Sequence, residues 1–78
     1  MFYGRSRFNF AFIGAGSSVF TMRLVGDILA EDFVEGGEFR LVDIDEKVLL
    51  EVTAAVKKLV AFSGKPFEVK SFPHFKGA

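Results

Sequence analysis

Apolar and polar residues change rhythm several times along this chain. Phe8 to Ile13 reads Phe-Asn-Phe-Ala-Phe-Ile, a short aromatic-rich run with basic polar residues before it and glycine after it. That pattern predicts a strand buried on both faces, as in a parallel sheet. Gly14-Ala15-Gly16-Ser17-Ser18 follows as a tight turn. From Ser18 the period lengthens. Phe20, Leu24 and Ile28 recur every four residues, flanked by Val25 and Leu29, which predicts a helix with that stripe as core, ending near Asp32. Ser17 or Ser18 suits its N-cap, because a hydroxyl there accepts from an orphan N–H of the first turn. Gly36-Gly37 marks a turn, and Glu38 to Ile44 reads as a second strand. Asp45 suits the cap of a second helix whose apolar face carries Val48, Val52, Val56, Leu59 and Val60. Ser63-Gly64-Lys65-Pro66 stops that helix, with glycine at the C-cap and proline beyond. Phe67 to Ser71 alternates and is more polar, as befits a strand at a sheet edge, and His74 to Ala78 reads as the start of a further helix.

The order is β-α-β-α-β, without internal repeat, linker or low-complexity stretch. Strands alternating with helices of these lengths imply a parallel sheet with right-handed crossovers. Three strands so connected are one mononucleotide-binding half of a doubly wound, three-layer α/β fold.

Composition sharpens this picture. At 78 residues the chain holds one domain at most. A chain of that length buries only about 60% of its unfolded surface and is marginal without help. The usual helpers are disulfides, a metal or a partner. There is no cysteine and only one histidine, so disulfides, thiolate sites and His-rich sites are excluded. Yet half the residues are hydrophobic and 11 are Phe, a core-rich composition. A partner, or a remainder of the chain, is therefore expected.

Ten basic and ten acidic residues cancel, which argues against a dedicated nucleic-acid binder. The charges are segregated: residues 27–51 carry nine of the acids, and residues 52–78 carry five bases and one acid. This reads as solvated faces of neighbouring elements, or as complementary segments that help two copies associate. No apolar run reaches the ~18–20 residues of a membrane span. The N-terminus lacks the apolar core and cleavage site of a signal peptide, so a cytoplasmic protein is expected.

Gly14-x-Gly16 sits between a predicted strand and a predicted helix, the context in which a glycine motif carries meaning. Gly14 permits the sharp turn, and Gly16, lacking a Cβ, permits close approach of a pyrophosphate. The N–H groups from Ser17 onward lie at the positive end of a helix dipole. The hydroxyls of Ser17 and Ser18 are further donors. The usual third glycine is replaced by Val19. Asp43 ends the second strand, 24 residues after Val19, where an acid accepts from the adenosine ribose hydroxyls. Its charge repels a 2′-phosphate and no arginine follows it immediately, so NAD is favoured over NADP. The alternative is that Asp43 and Asp45 merely end a strand and cap a helix. His74 reads as a surface residue, Tyr3, Arg5 and Arg7 as a solvated extension, and Asp27 as either exposed or an interior hydrogen-bond partner.

The strings Ala11-Phe-Ile-Gly-Ala-Gly-Ser-Ser-Val-Phe-Thr21, Leu24-Val-Gly-Asp-Ile-Leu29 and Leu41-Val-Asp-Ile-Asp45 together resemble the N-terminus of family 4 glycoside hydrolases, the NAD- and Mn²⁺-dependent α-glucosidases, α-galactosidases and α-galacturonidases. The Gly-Ala-Gly-Ser form with Phe20-Thr21 is more similar to the branch acting on unphosphorylated α-glycosides. The family shares the missing third glycine, and Phe75-Lys-Gly-Ala78 is similar to its segment leading into a fourth strand. The resemblance implies that Gly14, Gly16, Ser17, Ser18 and Phe20 line the pyrophosphate turn and that Asp43 serves the ribose. It implies hydrolysis by redox elimination. NAD⁺ takes hydride from C3 of the sugar, a metal polarises the ketone, a base removes the C2 proton, the glycosidic bond breaks, water adds and the hydride returns. This departs from two-carboxylate hydrolysis, and the cofactor supplies the chemistry. The family's metal-binding cysteine and histidine and its tyrosine base lie far downstream. Neither Tyr3 nor His74 matches those positions, so no catalytic or metal residue is carried over and the chain alone is expected to be inactive.

Three functional readings thus stand: the NAD-binding N-terminal portion of such a glycosidase, truncated before its fourth strand; the dinucleotide-binding start of another Rossmann oxidoreductase; and a self-associating interaction module without nucleotide. In the usual strand order the first strand has the second on one side and the fourth on the other. Without a fourth, the first strand is an exposed edge, and a homodimer or larger assembly through it is expected.

Overall fold

The structure is a computed structural model, and it describes residues 7–73. The element order is β1 (Arg7–Ile13), α1 (Ser18–Leu29), β2 (Gly36–Val42), α2 (Glu46–Ser63) and β3 (Phe67–Phe72). The strands form one parallel sheet in the order β1-β2-β3. This is the β-α-β-α-β half of a Rossmann-like fold. Helices α1 and α2 pack into one core with the sheet, so the described residues form a sheet and one layer of helices. The second helical layer of the complete three-layer fold is not among them.

Register sorts the side chains. Phe8, Phe10 and Phe12 of β1 align with Gly37, Phe39 and Leu41 of β2, and these with Phe67, Val69 and Ser71 of β3. Alternate residues point to opposite faces, so this row faces the helices. Phe39 and Leu41 are fully buried, packed with Val25 and Leu29 of α1 and Leu49, Val52, Val56 and Val60 of α2. Phe39 stacks on Phe67 at 4.4 Å and on Phe10 at 5.6 Å. The opposite face carries Asn9, Glu38, Arg40, Glu68 and Lys70, with Glu38 paired to Arg40 and to Lys70.

Several expectations change. Strand β1 is not buried on both faces: Asn9, Ala11 and Ile13 are exposed, and its phenylalanines are half-buried. An edge strand with helices on one side has only half a shell. The buried stripe of α1 is Thr21, Val25 and Leu29, not Phe20, Leu24 and Ile28. Leu24 and Ile28 are partly covered, and Phe20 is 61% exposed, because the helix meets the sheet one position further round. Helix α1 ends at Leu29 rather than near Asp32, and Asp27 is exposed. Gly36-Gly37 opens β2 instead of forming a turn, and Arg7 is the first residue of β1. In α2 the cap at Asp45 and the left-handed Gly64 after Ser63 are as expected. Strand β3 is the far edge, as its alternation implied. Tyr3, Arg5 and His74 to Ala78 lie outside the described residues. Among the described residues no helix is long and apolar enough to cross a membrane.

Candidate functional site

The turn after β1 and the end of β2 are one hydrogen-bonded unit. The N–H groups of Gly14 and Ala15 both donate to the Val42 carbonyl, at 2.8 and 2.9 Å. Gly14 takes φ +77°, a left-handed conformation that disfavours any side chain. Ser17 N–H closes the turn on the Gly14 carbonyl at 3.1 Å. Ala15 is buried, and its carbonyl accepts from the buried Thr21 hydroxyl at 3.0 Å. The turn is therefore held from β2 and from the second turn of α1 before any ligand arrives.

Asp43 completes the unit. Its Oδ2 accepts from Gly16 N–H at 2.7 Å and its Oδ1 from Asp45 N–H at 2.9 Å. Donation from Asp45 and then from Gly16 holds its carboxyl below the ordinary value, against a partial offset from desolvation. A carboxylate offers about four lone-pair sites, so the bonds from Asp45 and Gly16 and a lesser one from Ile44 leave capacity for a further donor. A Cβ at position 16 would lie 2.6 Å from Asp43 Oδ2 and 2.8 Å from Val48 Cγ1. The space that Gly16 leaves is thus filled by the chain's own acid. Glycine at position 16 is therefore required by Asp43 and Val48 in the folded chain itself.

Ser17 occupies the N-cap of α1, as expected, but its side chain makes no capping bond. Its N–H is spent within the turn, so the orphan donors of the helix begin after Ser17 rather than at it. No acidic residue lies in the first turn of α1. Ser18 opens the helix. Val19 is 77% exposed, so the missing third glycine does not sit against the sheet and its absence opens no gap. Phe20 projects outward at the same helix end, and Ile44, next to Asp43, is also exposed. The structure therefore gathers Gly14, Gly16, Ser17, Ser18, Phe20 and Asp43 at the C-terminal edge of the sheet. This is where ligands bind in open α/β folds.

Thr21, Val42 and Val48 were missed as supports of the site. Thr21 has a visible signal, a polar residue within an apolar helical stretch. The Val42 carbonyl and the proximity of Val48 to Gly16 come from folding and have no sequence signal. Among the described residues no cluster of three or more His, Asp or Glu side chains is placed to hold a metal ion.

The family described as "Family 4 glycosyl hydrolase" matches residues 9–78. A protein named "Alpha-galactosidase" from Bacillus subtilis (strain 168) is 44% identical over 48 residues, which cover 62% of this chain and 11% of that protein. The match thus spans about a tenth of the length of the curated relative. With the family matched over nearly the whole chain, residues 9–78 place the protein among the family 4 glycosyl hydrolases.

Proposed function

We propose that this chain forms the adenosine-diphosphate side of an NAD site, as the N-terminal portion of a cytoplasmic α-glycosidase that cleaves O-glycosidic bonds by redox elimination. The observation that carries the reading is the joining of an uncapped helix start to a carboxylate with open lone pairs, both at the C-terminal sheet edge. The amides after Ser17 and the Ser17 hydroxyl suit a pyrophosphate. The free lone pairs of Asp43 suit the ribose hydroxyls, and its charge opposes a 2′-phosphate. When bound, the nicotinamide supplies reversible hydride acceptance. This chain's residues orient the other end of the dinucleotide.

No described residue set fits the Mn²⁺ of the family's chemistry, and the sequence has no cysteine. The reading therefore gives this segment a binding role and no metal ligands. α-Galactosides are the substrate class that the relative's name brings to the reading. Calorimetric titration with NAD⁺ and with NADP⁺ tests it. The expected result is saturable heat with NAD⁺ and at least about tenfold weaker binding of NADP⁺. No heat and no thermal shift at millimolar NAD⁺ refute it. A nitrophenyl α-galactoside stays uncleaved by the chain in the presence of NAD⁺ and Mn²⁺.

A further inference from the structure

The turn between β1 and α1 departs from the form its own residues favour. Ser17 N–H donates to the Gly14 carbonyl, so Gly14 to Ser17 make a β-turn with Ala15 and Gly16 at its centre. Glycine at the third position of a β-turn favours type II, in which that residue takes a positive φ. Gly16 does not take one, unlike Gly14. The two turn forms differ by turning over a single peptide group, here Ala15–Gly16, and glycine leaves both orientations accessible. The bonds from Gly14 and Ala15 N–H to the Val42 carbonyl fix the chain up to Ala15 and leave this peptide free to turn.

Two side chains from elsewhere in the fold decide its orientation. The buried Thr21 hydroxyl donates to the Ala15 carbonyl at 3.0 Å, and Asp43 Oδ2 accepts from Gly16 N–H at 2.7 Å. One peptide group is thus held at its oxygen from α1 and at its N–H from the end of β2. Ala15 and Thr21 are both buried, so water does not replace the Thr21 donor, and a buried carbonyl left without one is costly. Turned over, the peptide would set the Ala15 oxygen beside the Asp43 carboxylate, at the mouth of the site. We propose that Thr21 is a positioning residue of the nucleotide-binding turn: its hydroxyl keeps the Ala15 carbonyl directed into the fold, so that no carbonyl oxygen faces an incoming pyrophosphate. Thr21 is itself buried and acts only through the backbone. The effect on binding rests on the NAD reading, whereas the hold on the peptide stands without it.

Two substitutions separate the hydroxyl from the packing. Thr21→Val keeps the shape and loses the donor, and Thr21→Ser keeps the donor and loses the methyl. The first readout is hydrogen exchange of the Gly16 amide in the free protein, measured against the Val56 amide in the core of α2. Thr21→Val is expected to speed Gly16 exchange by about tenfold or more relative to Val56, with Thr21→Ser within about threefold of the unaltered protein. Unchanged relative protection in Thr21→Val overturns the proposal, and so does loosening by Thr21→Ser as large as that by Thr21→Val, which would make the role one of packing. If Thr21→Val does not fold, Thr21→Ala set against Thr21→Ser differs by the hydroxyl alone and gives the same contrast. The second readout is NAD⁺ affinity by calorimetry. Thr21→Val is expected to bind about threefold to tenfold more weakly, with Thr21→Ser close to the unaltered protein. Equal affinity in Thr21→Val overturns the positioning role. Absence of binding by the unaltered protein overturns the nucleotide reading and the binding effect with it, and the exchange rates then still decide whether Thr21 holds the peptide.

Discussion

Helix α1 and helix α2 each follow a parallel strand and each begins with a short polar residue, yet their first turns are used differently. At α2, Asp45 accepts from Val48 N–H at 3.2 Å and Glu46 adds a second acid in the first turn. The chain's own carboxylates meet the helix dipole there. At α1, Ser17 caps by position only, and the first turn has no acid. The nearest carboxylate, Asp43, is directed to Gly16 and Asp45 instead of to the helix amides. The same crossover unit has thus been built once as a closed joint and once as an open one. The open joint lies beside the carboxylate of Asp43, and that difference is the ground for proposing it as the site.

The comparison can be broken most severely at Gly16. Gly16→Val drives side-chain atoms into Asp43 and Val48 and is expected to cost about 1–3 kcal/mol of stability, read by chemical denaturation, together with loss of NAD⁺ binding. Asp45→Ala removes the closed joint's cap. It should cost about 1 kcal/mol and leave NAD⁺ affinity unchanged, because Asp45's side chain serves α2 alone. Ser17→Asp makes the open joint resemble the closed one. It should stabilise α1 by a few tenths of a kcal/mol, up to about 1, while weakening NAD⁺ by charge repulsion. Ser17→Ala should leave stability within about 0.5 kcal/mol, because no capping bond is lost.

Asp43 gives a pH-dependent version of the same contrast. Its folded-state value lies below the unfolded one, so its stabilisation is complete above the unfolded value and is lost as pH falls through the folded value. The wild-type chain should therefore lose stability below about pH 4, and Asp43→Asn should show a shallower loss in acid denaturation curves.

Much of this was legible in the sequence. The change of period from strand to helix, the glycines of the first turn, Asp45 as a cap and Gly64 as a stop are local signals, and local chemistry decided them. The buried side of α1 was not local. Phe20-Leu24-Ile28 and Thr21-Val25-Leu29 are adjacent stripes of equal period, and contact with the sheet chose the second. The half-shell around β1 depends on strand order, not on the composition of β1. Gly36 and Gly37 read as a turn because glycine weakens a strand, yet they pair with Arg7 and Phe8. At the site, the glycines and the acid were visible separately. Their contact spans 27 residues of sequence and exists only because β2 returns beside β1. Pattern reading therefore picked out Gly16 and Asp43 one by one, but not the contact between them.

The central claim is that a dinucleotide settles on the open joint and not on the closed one. Amide chemical shifts of the isotope-labelled chain, followed during NAD⁺ titration, test it residue by residue. The account predicts saturable shifts at Val19, Phe20 and Asp43, with Glu46 and Lys47 at the start of α2 unmoved. Shifts at the start of α2 with α1 silent, or no shift anywhere at millimolar NAD⁺, would contradict it.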